Sequence, residues 1–212
     1  QLIGLAEDFF QNSLDSSPTS AIMRGHKKYF DQIEELTEEQ FEKETEVVDT
    51  FIQRLNKIEK DNLTSKEKVT HGMLDFALSS NKDSLLDRSW EFGAGVSGFT
   101  GFLIDYNQQM FIPDSESADM MLKRFELYKR LYTQIAEVQK VGLNNNRVAT
   151  ERNLLRTIDQ LENYLASSLD QDPLLLVNFS PEISGSEISE WKDKAKKIIE
   201  ANIRPTVSAY LD

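Results

Sequence analysis

The sequence contains no cysteine. This absence excludes disulfide bonds, thiolate metal sites, iron–sulfur clusters and a cysteine nucleophile. Histidine is scarce, since His26 and His71 are the two present, and the H-E-x-x-H pattern of zinc peptidases does not occur. His71 and Asp75 are spaced to share a metal ion on one helix face, but a histidine hydrogen-bonded to its neighbour is the more ordinary interpretation. We expect no catalytic, cofactor-binding or metal-binding residue in this chain.

Long apolar runs and basic clusters are also missing. No stretch approaches the roughly 18 uninterrupted apolar residues expected of a membrane-spanning helix. Acidic side chains outnumber basic ones by 36 to 24, which gives a formal net charge of −12. Nucleic acids and anionic membrane surfaces are recognised by basic patches. We therefore expect no transmembrane segment and no nucleic-acid partner.

Glycine and proline are few, with nine and five residues respectively, and the apolar residues mostly follow a helical spacing. This pattern predicts an all-α fold of about six to eight helices across residues 1–212. Capping-box signals predict three helix starts, at Thr37 with Gln40, Thr64 with Glu67 and Ser184 with Glu187. We expect the longest helix to run from residue 114 to about 141, where Gly142 ends it.

Residues 87–113 interrupt the helical pattern, because aromatic side chains alternate there with glycines. Residues 93–98 match G-x-G-x-x-G literally, but the buried strand that a dinucleotide site needs is missing. We interpret the segment as a glycine- and aromatic-rich central loop and as a possible boundary between sub-regions. Its rings either line a ligand groove or plug the ends of the helical bundle.

Three stretches together resemble a large bacterial family known as domain of unknown function 885. The first runs from Phe9-Phe10 through Ser17-Pro18, Gly25-His26 and Tyr29 to the helix start Glu35-Leu36-Thr37-Glu38-Glu39. The second is the long helix with Gly142, followed by Arg147-Val148 and Glu151-Arg152. The third is Asp172-Pro173-Leu174, leading to a helix with Arg204-Pro205. The resemblance covers nearly the whole chain.

The resemblance implies a role within a larger protein. Family members are longer, include lipoproteins and resemble helical zinc metallopeptidases whose H-E-x-x-H helix lies in the C-terminal part. By this resemblance, residues 1–212 are an N-terminal helical region whose partner is the C-terminal remainder of the same polypeptide, where zinc is expected. The resemblance also implies a peptide substrate and a location in the bacterial cell envelope, periplasmic or lipid-anchored, although the composition suits the cytoplasm equally well.

We therefore expect a region that walls or covers the substrate channel of a zinc-dependent peptidase and is catalytically incomplete alone. The candidates for channel-facing positions are aromatic or cationic side chains beside flexible backbone, namely Trp90, Phe99, Tyr106 and Arg147. The alternative is a stand-alone binding or interaction module of the cell envelope without enzymatic activity.

Overall fold

Helices form nearly all of the regular structure in the computed structural model, which describes residues 1–93, 104 and 106–212. The α-helices are α1 (Leu2–Ser16), α2 (Pro18–Met23), α3 (Glu38–Asn56), α4 (Ser65–Leu86), α5 (Ser115–Glu126), α6 (Tyr128–Asn144), α7 (Glu151–Ala166), α8 (Gly185–Ile198) and α9 (Arg204–Leu211). Short 3-10 helices span Lys27–Tyr29, Lys60–Asn62, Ser89–Phe92, Tyr106–Gln109, Leu169–Gln171 and Pro173–Leu175. The predicted all-α class is confirmed.

Strands are limited, in the described residues, to β1 (Phe111–Ile112) and β2 (Asn178–Phe179). They pair in parallel, with Phe111 opposite Asn178 and Ile112 opposite Phe179. This short ladder ties the chain before α5 to the chain before α8. Most of the predicted glycine- and aromatic-rich loop, including the G-x-G-x-x-G match, lies outside the described residues.

Local capping explains where several helices begin. At Thr64 and at Ser184 the hydroxyl accepts from the N3 amide while the N3 glutamate accepts from the cap residue's N–H, as predicted. At Thr37 half of the box forms, because its hydroxyl accepts from the Gln40 N–H but the Gln40 side chain donates to Glu44 instead.

The predicted long helix from residue 114 is two helices, α5 and α6, separated at Leu127. The Leu127 N–H donates to the Arg124 carbonyl three residues earlier. The backbone therefore makes a 3-10 hydrogen bond at this point instead of an α-helical one. Phe125 and Tyr128 flank the break, both fully buried with their rings edge to face. The prediction that Gly142 ends this helix is also wrong, because α6 continues through it to Asn144.

The chain divides into two compact units. The first comprises Gln1–Ser16 and Leu36–Trp90, and the second comprises Ser17–Glu35 and Glu91–Asp212. In the first unit, α1, α3 and α4 pack on one another around an apolar cluster. Its buried members are Leu2, Leu5, Val48, Phe51, Leu55, Ile58, Leu74 and Leu78. That residues 1–212 are part of a longer protein stays a prediction.

The second unit is built around α5, α6, α8 and α9. A π-helical turn, Ile199–Ile203, joins α8 to α9 just before Pro205, which has no N–H to donate. The buried apolar residues of the second unit include Met121, Phe125, Leu131, Ile199, Ile203 and Val207. Across the described part of the chain, every helix is either too short or too polar to cross a bilayer.

Candidate functional site

Trp90 lies in the first unit and is engaged in packing there. Its ring stacks on Phe41 with centroids 3.9 Å apart and planes 12° apart. The Arg88 guanidinium lies 5.4 Å from the Trp90 ring centroid on its face, in cation–π geometry. A contact between Trp90 and a substrate stays a prediction.

The other three candidates belong to the second unit or to undescribed chain. Phe99 lies outside the described residues. Tyr106 opens the 3-10 helix Tyr106–Gln109 and is half-buried. Arg147 follows α6, and its surroundings form the most distinctive polar site among the four.

The Arg147 side chain is held by a buried carboxylate. Its Nε donates to an oxygen of Glu91 at 2.5 Å. The Glu91 side chain is 0% exposed, whereas that of Arg147 is 36% exposed. A buried carboxylate requires a partner to offset its lost hydration. The pair therefore fixes an arginine whose other end faces solvent.

The end of α6 builds this arrangement. Asn146 adopts a left-handed conformation with φ of 57°, which asparagine tolerates better than most residues. The Arg147 N–H donates to the Gly142 carbonyl at 2.8 Å and the Asn146 N–H donates to the Leu143 carbonyl at 3.1 Å. These two bonds are the Schellman termination of a helix, and they place Arg147 directly after the turn.

Gly142 is needed for close approach of the backbone. A Cβ at this position would lie 2.6 Å from the Glu91 carbonyl oxygen and 2.8 Å from the Arg147 carbonyl oxygen. Neither backbone oxygen can move away as a flexible side chain could. We call the group formed by Glu91, Gly142, Asn146 and Arg147 the α6 corner.

A second acid–arginine pair is wholly enclosed. Arg124 on α5 is 0% exposed, and its Nη2 lies 3.8 Å from Oε2 of Glu34. Arg124 also donates to the Gln32 carbonyl and to the Thr19 hydroxyl. Glu34 accepts from the Thr19 N–H and hydroxyl, both at 2.8 Å. The pair ties α2 and the chain after it to α5.

A third pair joins Asp172 to Arg204. The Arg204 Nη2 lies 3.0 Å from the Asp172 carboxylate, and the Arg204 and Asp172 side chains are 18% and 0% exposed. The Arg204 Nη1 also donates to the Ser167 carbonyl, and the guanidinium lies over the ring of Tyr164. Burial, with the negative charge of Asp172 nearby, raises the pKa of the Tyr164 hydroxyl. This pair links the segment after α7 to the start of α9.

The chemistry available at the α6 corner is binding rather than proton transfer. An arginine stays protonated in proteins, so it neither accepts a proton as a base nor releases one as an acid. Its planar donors suit a carboxylate or carbonyl oxygen. Arg147 can therefore hold and orient an anionic or carbonyl group.

Metal ligands do not gather in the part of the chain that the structure describes. No group of three or more histidine, aspartate and glutamate side chains there is arranged to hold a metal ion. His71 is buried, and its Nε2 makes no hydrogen bond to the described residues. Asp75 lies 4.0 Å from Lys60 instead. The interpretation of His71 as bonded to its neighbour is not what the structure shows.

A comparison with protein families identifies the chain's relatives. The family model described as "Bacterial protein of unknown function (DUF885)" matches residues 18–212. The chain belongs to this family. No curated protein and no solved structure matches it. The DUF885 resemblance is thus confirmed, while the relation to zinc peptidases and the N-terminal position within a longer protein stay predictions.

Among the residues of these acid–arginine pairs, Arg147 was predicted as a site residue from the sequence, whereas no sequence pattern marked Glu91, Glu34 or Arg124 as a site residue. One local signal was present, because Glu91 stands between Trp90 and Phe92. An acid flanked by two aromatic side chains is a candidate for burial, and a buried acid needs a cation.

Proposed function

We propose that this DUF885 chain is the substrate-side helical region of a zinc-dependent bacterial peptidase of the cell envelope. Arg147 binds an oxygen of the peptide, while the metal and the general base come from residues outside the chain. The observation that carries the binding role is the partly exposed Arg147 guanidinium on the enclosed Glu91 carboxylate. The peptidase assignment rests on the expected resemblance of the family to helical zinc metallopeptidases, which is itself part of the proposal.

The geometry of Arg147 suits such a role. Nε is committed to Glu91, and the two terminal nitrogens make no hydrogen bond to other described residues. A side chain that is oriented before binding loses less conformational freedom when a ligand arrives. Arg147 is therefore oriented before binding to donate hydrogen bonds to a substrate carboxylate or carbonyl.

The test uses the full-length protein purified from its bacterial host. We expect stoichiometric zinc and cleavage of unstructured peptides. Arg147→Gln should raise KM at least about tenfold, because a hydrogen bond to a charged group contributes about 1.5–3 kcal/mol and 1.4 kcal/mol is a factor of ten. It should leave the zinc content unchanged and kcat within about threefold.

Arg152 provides the matched control, because it is an exposed arginine five residues further on, with no ion pair to the described residues. Arg152→Gln should leave KM unchanged. Equal effects of the two substitutions would contradict the role of Arg147. A protein without zinc and without peptide cleavage would contradict the peptidase assignment and favour a binding module of the envelope.

A further inference from the structure

One side of α4 in the first unit carries an exposed apolar stripe that the proposed function does not use. The stripe follows the turns of the helix and consists of Val69, Met73 and Phe76. These side chains are between 63% and 76% exposed. The buried residues of α4 lie on the opposite side of the helix, namely His71, Leu74 and Leu78. Single exposed apolar side chains are ordinary, but three aligned on one helix face are a candidate surface for a partner.

The same side of α4 carries charges at both ends of this stripe. Lys66 lies in the first turn, whereas Asp83 lies in the last turn and Asp87 follows it as the C-cap. At about 100° per residue, all three lie within about 60° of the centre of the stripe. None of the three forms an ion pair with the described residues, because the ion pairs of α4 there use Asp75 and Lys82.

These three charges are unfavourably placed within a single copy of the helix. A helix start attracts negative charge and a helix end attracts positive charge, but Lys66 lies at the start and the last turn contains no base. Asp83 and Asp87 are also four residues apart, so their carboxylates repel each other along the helix surface. A partner that brings an acid to Lys66 and a base to the two aspartates would relieve both effects.

We propose that the α4 stripe is a self-association surface, on which α4 of a second copy of the chain packs in the antiparallel direction. A second copy offers both charges that this face lacks. Lys66 and Asp83 are equally far in sequence from the midpoint between Met73 and Phe76. With the two-fold axis at that midpoint, Lys66 of each copy lies level with Asp83 of the other.

The apolar centre of the stripe fits the same register. Met73 of each copy then lies level with Phe76 of the other, and a thioether packs favourably against an aromatic ring. Each contact occurs twice, because a two-fold pairing is self-complementary. The proposal does not depend on the peptidase assignment, since the stripe contains no residue of the α6 corner.

The expected association is weak and reversible. α4 has 22 residues, which corresponds to a length of about 33 Å. A contact strip of this length and about 10 Å width covers roughly 300 Å² on each copy. Stable complexes bury about 1,200–2,000 Å² in total. We therefore expect a dissociation constant of about 10–500 µM.

The test is sedimentation equilibrium of the full-length protein at concentrations between about 1 and 500 µM. We expect a reversible monomer–dimer equilibrium in this range. Phe76→Ser should weaken dimerisation at least about tenfold, because each dimer loses this apolar contact twice. Leu155→Ser is the matched control, since it removes an exposed apolar side chain from α7. It should leave the dissociation constant unchanged.

Charge reversal tests the antiparallel register. Lys66→Asp and Asp83→Lys should each weaken dimerisation about three- to tenfold, because a like-charged pair replaces an attractive one twice per dimer. The double variant should regain most of the wild-type affinity, because the two partners have exchanged their signs. Both changes suit the helix dipole, so α4 should stay folded, and thermal unfolding checks this.

Three results would overturn the proposal. The first is a full-length protein that stays monomeric at every concentration, as it would if another segment of the polypeptide covered the stripe. The second is an equal effect of Phe76→Ser and Leu155→Ser. The third is a double charge variant that dimerises no better than the single variants.

Discussion

Two sites in the second unit pair an arginine with a buried acid, and they differ in how far the arginine is buried. At α5, Arg124 and Glu34 are both enclosed, with side chains 0% and 6% exposed. At the α6 corner, Glu91 is 0% exposed but Arg147 is 36% exposed. Both sites place an arginine on a buried acid, and both lie in the region that the family model matches.

The difference in depth separates a structural role from a binding role. The Arg124 donors are directed to the Gln32 carbonyl and the Thr19 hydroxyl, which are parts of the fold. Arg147 makes one such bond and presents the rest of its guanidinium to solvent. Removing Arg124 should therefore cost stability, whereas removing Arg147 should mainly cost affinity.

The largest effect is expected for Arg124→Met. This change leaves the Glu34 carboxylate buried without its cation, which costs about 3–5 kcal/mol of the free energy of unfolding. Urea unfolding measures it in a Trp90→Phe background, where Trp191 is the remaining tryptophan and reports on the second unit. Adding Glu34→Gln should recover part of the loss, because the uncompensated charge is gone while one acceptor oxygen for Thr19 remains.

Arg152→Met is the control for this prediction, since an exposed arginine without an ion pair should change stability by less than about 0.5 kcal/mol. A loss below about 1 kcal/mol for Arg124→Met would show that the enclosed pair is not a structural tie. The contrast with Arg147 would then disappear.

A smaller effect is expected for Gly142→Ala in the α6 corner. The new Cβ would lie 2.6 Å from the Glu91 carbonyl oxygen, and overpacking against backbone costs about 1–3 kcal/mol. This cost exceeds the gain of up to about 1 kcal/mol from replacing glycine by alanine inside a helix. Thermal and urea unfolding should both show destabilisation.

Gly72→Ala in α4 is the matched control, because no atom outside its own stretch of helix lies within 4 Å of the added Cβ. It should stabilise the protein by about 0.5–1 kcal/mol. If both substitutions stabilise, the backbone at the α6 corner is less closely packed than the structure shows.

The smallest effect concerns an exposed pair, Lys27 with Asp114. Hydrogen bonds from Lys27 and Ser117 lower the pKa of Asp114 to about 2. A lowered carboxyl pKa adds stability above the ordinary value of 3.8, and this stability is lost as the pH falls from about 4 to 2. Asp114→Asn, which can still cap α5, should flatten the decline in stability over this range.

Asp193→Asn, an exposed acid on α8, is the control in that experiment and should leave the slope between pH 4 and 2 unchanged. An equal flattening by both variants would show that general charge, rather than the Lys27 contact, causes the pH dependence.

Local rules were sufficient for much of the fold. The helices after Thr64 and Ser184 could be predicted because the capping residues lie three positions from their partners. The break at Leu127 could not, because it depends on burying both Phe125 and Tyr128 in a core assembled from distant segments.

The candidate site was harder to predict for the same reason. Arg147 stood out as a cation beside a turn, but its partner Glu91 lies 56 positions away in sequence. Gly142 was interpreted as a helix stop, whereas its function is to let the Glu91 backbone approach α6. Spacing within one sequence does not reveal a contact between segments so far apart.

The most direct test of the central claim is a double-mutant cycle between Glu91 and Arg147, measured as KM of the full-length protein for a peptide substrate. Glu91→Gln should raise KM severalfold in the wild-type background, because Arg147 loses its orientation. The same change should have no further effect when Arg147→Gln is already present. Independent, multiplicative effects of the two changes, or a KM unaltered by either, would contradict the claim that the buried acid holds Arg147 for binding.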